Sequence, residues 1–291
     1  MVYSDPTHEK VQFLWTRSQP CPLHSLSPNV LREICLYVGE DCAFVPDLSL
    51  QSISVYDVKT RTVRVKQVSI PCMEGASYCF LESTTLLIAG GSFRGRCIGE
   101  AFMVRNWVVE ELSRMRVGRE NSGICAWHGV AYVFGGYNHS CEKFEDRKWQ
   151  ALPDMKQPRS QFTPVLHSTE VWLPCLRALA LESFCLVTER FQTLPYDMPK
   201  NDFNPSVAFI IENKTLVVLS QSGFYYMYKE NYPQKAVRGR YRHDEIEICA
   251  PAPAIYYRKQ AYFRGKYNVM RFSLETERLR IVDDFPEKPV S

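Results

Sequence analysis

Nowhere does the chain hold the roughly 18 consecutive apolar residues that a membrane span needs, and its opening stretch, MVYSDPTHEKVQFLWTRSQP, lacks the apolar centre of a secretory signal. The expectation is a soluble, cytoplasmic chain. No CxxC pair is present to seed a zinc site, no GxSxG elbow and no GxxxxGK[ST] phosphate loop. Charge of one sign is also scarce: 35 basic residues against 32 acidic ones leave +3, too near balance to predict a nucleic-acid or membrane partner. Cysteine is plentiful, at 11, but the count is odd and most of the residues sit within apolar runs such as SYCFL, GICAW and SFCLV. Cys79, Cys125 and Cys185 therefore read as small buried hydrophobes and the cysteines as free thiols. The sequons at Asn138 and Asn213 carry no weight without a secretory route.

What the chain does have is a repeat. The run AYVFGG at 131–136 has counterparts in DCAFVP at 41–46, LLIAGG at 86–91, VWLPCL at 171–176, LVVLSQ at 216–221 and AYFRGK at 261–266, spaced by 45 residues or, once, by 40. Each is preceded across a short polar turn by another apolar segment, as in SYCFLEST and ICAWHG, which is the pattern of a β-hairpin. An aromatic residue returns after each second strand, at Tyr56, Phe102, Phe144, Phe184, Tyr228 and Phe272, followed in most units by a bulky one at Val63, Trp107, Trp149, Phe191 or Leu279. That makes a second hairpin, and four strands in each unit. The links LSRMRVGR at 112–119, LPDMKQPR at 152–159 and LPYDMPKN at 194–201 recur in their turn.

A four-stranded sheet of this size cannot cover both of its faces alone, and stacking around an axis leaves only short edges. Six units predict an all-β protein: a six-bladed β-propeller of four-stranded antiparallel blades over residues 30–285, a single domain with an N-terminal arm at 1–29 and a tail at 286–291. Within the arm, KVQFLW at 10–15 could add a strand to the closing blade. The double glycines are expected where second strands end and the backbone needs positive φ and close approach.

LIAGG at 87–91, YVFGG at 132–136, the paired aromatics and the MxxxR links at 115–119 and 155–159 resemble the kelch-repeat family over roughly residues 30–285, most clearly in units two and three. The resemblance implies a monomeric, non-catalytic scaffold or adaptor that needs no cofactor and binds a partner protein through loops on one face. Carried over position by position, the partner-binding candidates are Phe93, Arg94 and Arg96; Tyr137, Asn138 and His139; and, from the links, Arg119, Asn121, Arg159 and Gln161. Arg and Tyr suit interfaces because they join large contact area to directional hydrogen bonding. Arg119 and Arg159 have a second reading, since recurrence at one repeat position also fits a bond to neighbouring backbone, and Phe93 and Tyr137 could fold back on their own blades.

Two other function classes stay open. LSPNVLREICLYVGEDC at 26–42 resembles the start of an F-box, which would make residues 23–45 the tether of a ubiquitin-ligase substrate receptor; as a strand, ICLYV would instead open unit one. A BTB-like dimerisation domain does not fit in the residues before the propeller. The enzyme reading, a metal- or sugar-dependent propeller, rests on His128, His139 and His167. It requires them to converge, whereas the repeat puts His128 and His167 in first-hairpin turns, at the opposite end from His139.

Overall fold

Alternation of apolar and polar residues over five or six positions, closed by turn residues, builds strands throughout the chain. The computed structural model describes residues 42–47, 52–57, 62–71, 73–82, 85–199, 202, 205–211, 215–228, 237–241, 248, 254–257, 259–265 and 268–284. Among them there is no helix. Unit one contributes β1 (Cys42–Asp47), β2 (Ser52–Asp57) and β3 (Thr62–Gln67). Unit two holds β4 (Ser77–Glu82), β5 (Thr85–Ala89), β8 (Ala101–Arg105) and β9 (Val108–Glu111), with a small extra hairpin, β6 (Ser92–Phe93) and β7 (Arg96–Cys97), inserted after β5. Unit three is β10 (Gly123–Trp127), β11 (Val130–Phe134), β12 (Cys141–Glu145) and β13 (Lys148–Leu152); unit four is β14 (Val165–His167), β15 (Glu170–Leu173), β16 (Ala180–Cys185) and β17 (Arg190–Asp197). Unit five is β18 (Ser206–Ile211), β19 (Thr215–Ser220), β20 (Phe224–Tyr228) and β21 (Val237–Arg240), and unit six β22 (Ile255–Tyr257), β23 (Gln260–Arg264), β24 (Asn268–Ser273) and β25 (Arg278–Asp284). Every pairing is antiparallel between successive strands of the unit.

The sheets stack face to face as in a propeller. First strands neighbour one another, β4 against β10, β14 against β18 and β18 against β22, while β1 lies against β23. From unit two to unit six, each interface is an apolar layer drawn from two consecutive units. Ala89 and Met103 of unit two meet Val133 and Phe144 of unit three; Tyr132 and Phe134 meet Leu173 and Phe184 of unit four; Val207 and Leu219 of unit five meet Phe263 and Phe272 of unit six. The fourth strands carry mostly exposed residues, as in VVEE of β9 and VRGR of β21.

All six predicted second strands are strands of the fold. The predicted aromatic positions also hold in register, with Ala131 opposite Phe144, Val171 opposite Phe184, Leu216 opposite Tyr228 and Ala261 opposite Phe272. The cross-strand partners are confirmed too, Phe144 with Trp149 at 5.0 Å between ring centres and Phe184 with Phe191 at 4.7 Å, spacings at which tilted rings attract.

Two expectations are corrected. Among the described residues the complete four-stranded blades number five where six were expected: unit one has three described strands, and its expected first strand, ICLYV at 34–38, lies outside the described residues, as do KVQFLW, the F-box-like residues 26–41 and the tail at 286–291. In unit two the pair expected at Phe102 and Trp107 does not hold the register of the other units. Leu86 faces Val104, which pairs with Val109, because the β6–β7 insertion lengthens the connection; Trp107 sits instead in the β8–β9 turn with φ of 68°.

Candidate functional site

The double glycines, the methionines and the arginines of the links turn out to be parts of one joint. Gly90 and Gly135 have φ of 72° and 70°, and a Cβ on either would run into the carbonyl oxygen of Arg119 or Arg159 and press on the Met115 or Met155 methyl group. The glycine that follows donates its amide to the same carbonyl, Gly91 N to Arg119 O at 2.8 Å and Gly136 N to Arg159 O at 2.9 Å. Each link therefore rests on the double glycine of the preceding unit.

The arginine side chains turn the other way, into their own units. The Arg119 guanidinium donates to the carbonyls of Gly135 and Ser140, both at 2.8 Å, and to Glu142 Oε1 at 2.8 Å. That of Arg159 donates to Glu182 Oε2, to Leu173 O at 3.1 Å and to Ala180 O at 2.9 Å. Glu142 also accepts the amides of Arg116 and Val117, and Glu182 accepts that of Lys156. Both side-chain pairs are out of solvent. As partner-binding candidates Arg119 and Arg159 are therefore corrected: fully enclosed, they have no surface to offer, and the bond to neighbouring backbone is what they make.

Asn121 and Gln161 sit two residues beyond these arginines, each left-handed, with φ of 53° and 55°. They form a relay between links. Asn121 N donates to Gly75 O at 2.7 Å, Gln161 N to Asn121 O at 2.8 Å, and Ser206 N to Gln161 O at 3.2 Å. Main-chain bonds thus tie the starts of four consecutive units together, and the side chains of Asn121 and Gln161 are left half-buried.

The remaining candidates lie on the same face as the links, because Ser92 exchanges two main-chain bonds with Glu74 and Tyr137 N donates to Arg159 O. Phe93 is 50% exposed on the β6–β7 hairpin, with the Arg94 guanidinium 5.1 Å above its ring and Arg96 exposed opposite. Tyr137 is 48% exposed at φ of 67°. Asn138 stiffens that loop by accepting from Ser140 N and Oγ, and His139 Nδ1 is 3.2 Å from Met155 O. Phe93 and Tyr137 do not fold back on their blades.

No protein-family model and no curated protein matches this chain. Its functional reading therefore rests on the geometry of that face.

Two residues there escaped the sequence reading. Leu179, 66% exposed, occupies in unit four the loop that Phe93 and Tyr137 occupy in units two and three, and Val117, 39% exposed, stands in the link between Met115 and Arg119. The signal for Leu179 is its place in the repeat after VWLPCL, in a loop that lacks the double glycine. Of the histidines, His128 lies in the β10–β11 turn and His167 ends β14, away from the β11–β12 loop that carries His139. Among the described residues no three His, Cys, Asp or Glu side chains are grouped as metal ligands would be. Cys79, Cys97, Cys125, Cys141, Cys175 and Cys185 are free thiols. Of the three expected to be buried, Cys79 is; Cys125 and Cys185 are only partly so, and bonds from Thr188 lower the Cys185 thiol pKa.

Proposed function

We propose that this chain is a non-catalytic, kelch-type scaffold that docks a partner protein on the face carrying the links. The observation behind the reading is the set of exposed apolar side chains there, Phe93, Val117, Tyr137 and Leu179, held on loops that the buried arginines and the linker relay keep stiff. Water gains nothing from large apolar groups, while a partner that covers them gains both area and order already present. Arg94 and Arg96 at the rim supply directional hydrogen bonds. In this reading the protein acts as a cytoplasmic monomer without a cofactor, and unit one is the sixth blade, opened by ICLYV at 34–38.

The test is affinity capture with wild type and with the double substitution Phe93→Ser/Tyr137→Ser, alongside thermal melts. Partners should be lost from the variant while its melting temperature stays within a few degrees of wild type. An unchanged set of captured proteins would remove this face from consideration and leave the fold as described.

A further inference from the structure

The outer edge of unit five has a character the loop face does not explain. Strand β21 reads Val237-Arg238-Gly239-Arg240 and is the last strand of its sheet. Tyr241 N donates inward to Gly223 O at 2.9 Å. Since main-chain groups alternate in direction along a strand, Gly239 and Val237 also face β20, and the N–H and C=O groups of Arg238 and Arg240 face outward. Beyond them the sheet has no further strand among the described residues.

The two arginine side chains share one face of this edge and one support. Arg238 stands 3.7 Å and Arg240 5.8 Å from the centre of the Phe224 ring. Both are exposed, and neither makes an ion pair among the described residues. By contrast Arg147, at the outer edge of unit three, is bonded to Glu110 of unit two. Gly239, between the arginines, is covered by the Tyr225 ring, where any side chain would collide. The edge is therefore flat, directed and positively charged at alternate positions. Stacking on an aromatic face holds a guanidinium in place without using its hydrogen-bond donors; Arg238 spends one on the Tyr226 hydroxyl across the strand pair and keeps the others.

We propose that the β21 edge binds an extended acidic segment of a partner protein, which adds to the sheet as a fifth strand with carboxylates at positions i and i+2 opposite Arg238 and Arg240. Main-chain bonds to the outward groups supply the pairing, and the carboxylates supply the choice of partner. A second copy of the same edge is excluded by like charge directly opposite. Next to the strand Lys235 and Arg242 add to the positive charge, which gives way to acid only further on, at Asp244, Glu245 and Glu247.

The experiment measures fluorescence anisotropy of a labelled peptide alternating Glu and Val, titrated with the full chain, beside a peptide of the same sequence N-methylated at alternate amides. The parent peptide should bind, the N-methylated one should not, and both Arg238→Glu/Arg240→Glu and the milder Arg238→Gln/Arg240→Gln should weaken the parent by about tenfold or more. Circular dichroism of the two variants confirms their fold. Absence of binding up to ~1 mM, equal binding of the N-methylated peptide, or equally tight binding of an oligothymidylate of matched charge would each overturn the proposal; the last would point to nucleic acid.

Discussion

Arg119 and Glu142 meet at 2.8 Å inside unit three, and Arg159 and Glu182 repeat the bond at 2.8 Å inside unit four. Unit two solves the same problem without charge: Met73 takes the arginine's place and Phe102 the glutamate's, both buried in one apolar layer. Removing one member of a buried pair strands the other, which costs about 3–5 kcal/mol. Arg119→Met should lower the unfolding free energy by that order in urea titrations. Arg119→Met/Glu142→Phe, which copies unit two, should recover part of the loss, although the amides of Arg116 and Val117 then lose their acceptor.

Two glycines with similar backbones should respond differently to alanine. Gly135, at φ of 70°, has the Arg159 carbonyl where a Cβ would go; Gly95, at φ of 73° on the hairpin tip, has nothing within 4 Å. Gly95→Ala should cost only the left-handed penalty of about 1–2 kcal/mol. Gly135→Ala should cost clearly more, and Gly135→Val should fail to give soluble folded protein. Thermal melts and recovery on gel filtration check both.

Alkali should weaken the fold before it hydrolyses anything. Burial pushes the Cys141 thiol up to about 12, with the Arg119 charge pulling partly the other way, whereas an unfolded thiol titrates near ~8.5. Between those values the unfolded chain gives up a proton that the folded chain keeps, so stability falls as pH rises through this window and is constant below it. Tyr226, pushed up to about 12 by burial and then by its bond to Asp202, adds to the fall above ~10. The urea midpoint should drop between pH 8.5 and 11, with a shallower slope in Cys141→Ala; a flat profile would contradict the assignment.

Cys185 should be the quickest of the described thiols to alkylate. The Thr188 hydroxyl and amide hold its pKa below the ordinary value, while burial raises that of Cys79 and Cys141. Timed iodoacetamide labelling at pH 7.5 with mass spectrometry should rank Cys185 ahead of the exposed Cys97, and Thr188→Val should reverse or erase that order.

The second strands were legible because each is a short, nearly continuous apolar run that must be buried on both faces, a pattern that survives the loss of the glycines in units four to six. The aromatic register of unit two was not, since a loosely fixed distance from the second strand presumes connections of similar length and the β6–β7 hairpin lengthens this one. Arg119 and Arg159 could be seen to repeat, but their partners lie 23 residues on. The readable trace was there: Glu142-Lys-Phe144 and Glu182-Ser-Phe184 place a carboxylate two residues before the buried aromatic in the very units that carry the arginine. A basic residue in one link and an acid in the following third strand, at equal offset, is the signature of a joint rather than of a contact surface. The relay through Asn121 and Gln161 left no such trace, because main-chain bonds write nothing into side-chain chemistry.

The contact of β1 with β23 means that the ring is joined between a segment made early in synthesis and one made late. A nascent chain emerging from the ribosome can stack units two to five in turn, but the seam waits for the last unit to appear. Until then a sheet face stays bare, and it is during that interval that chaperones would be needed most.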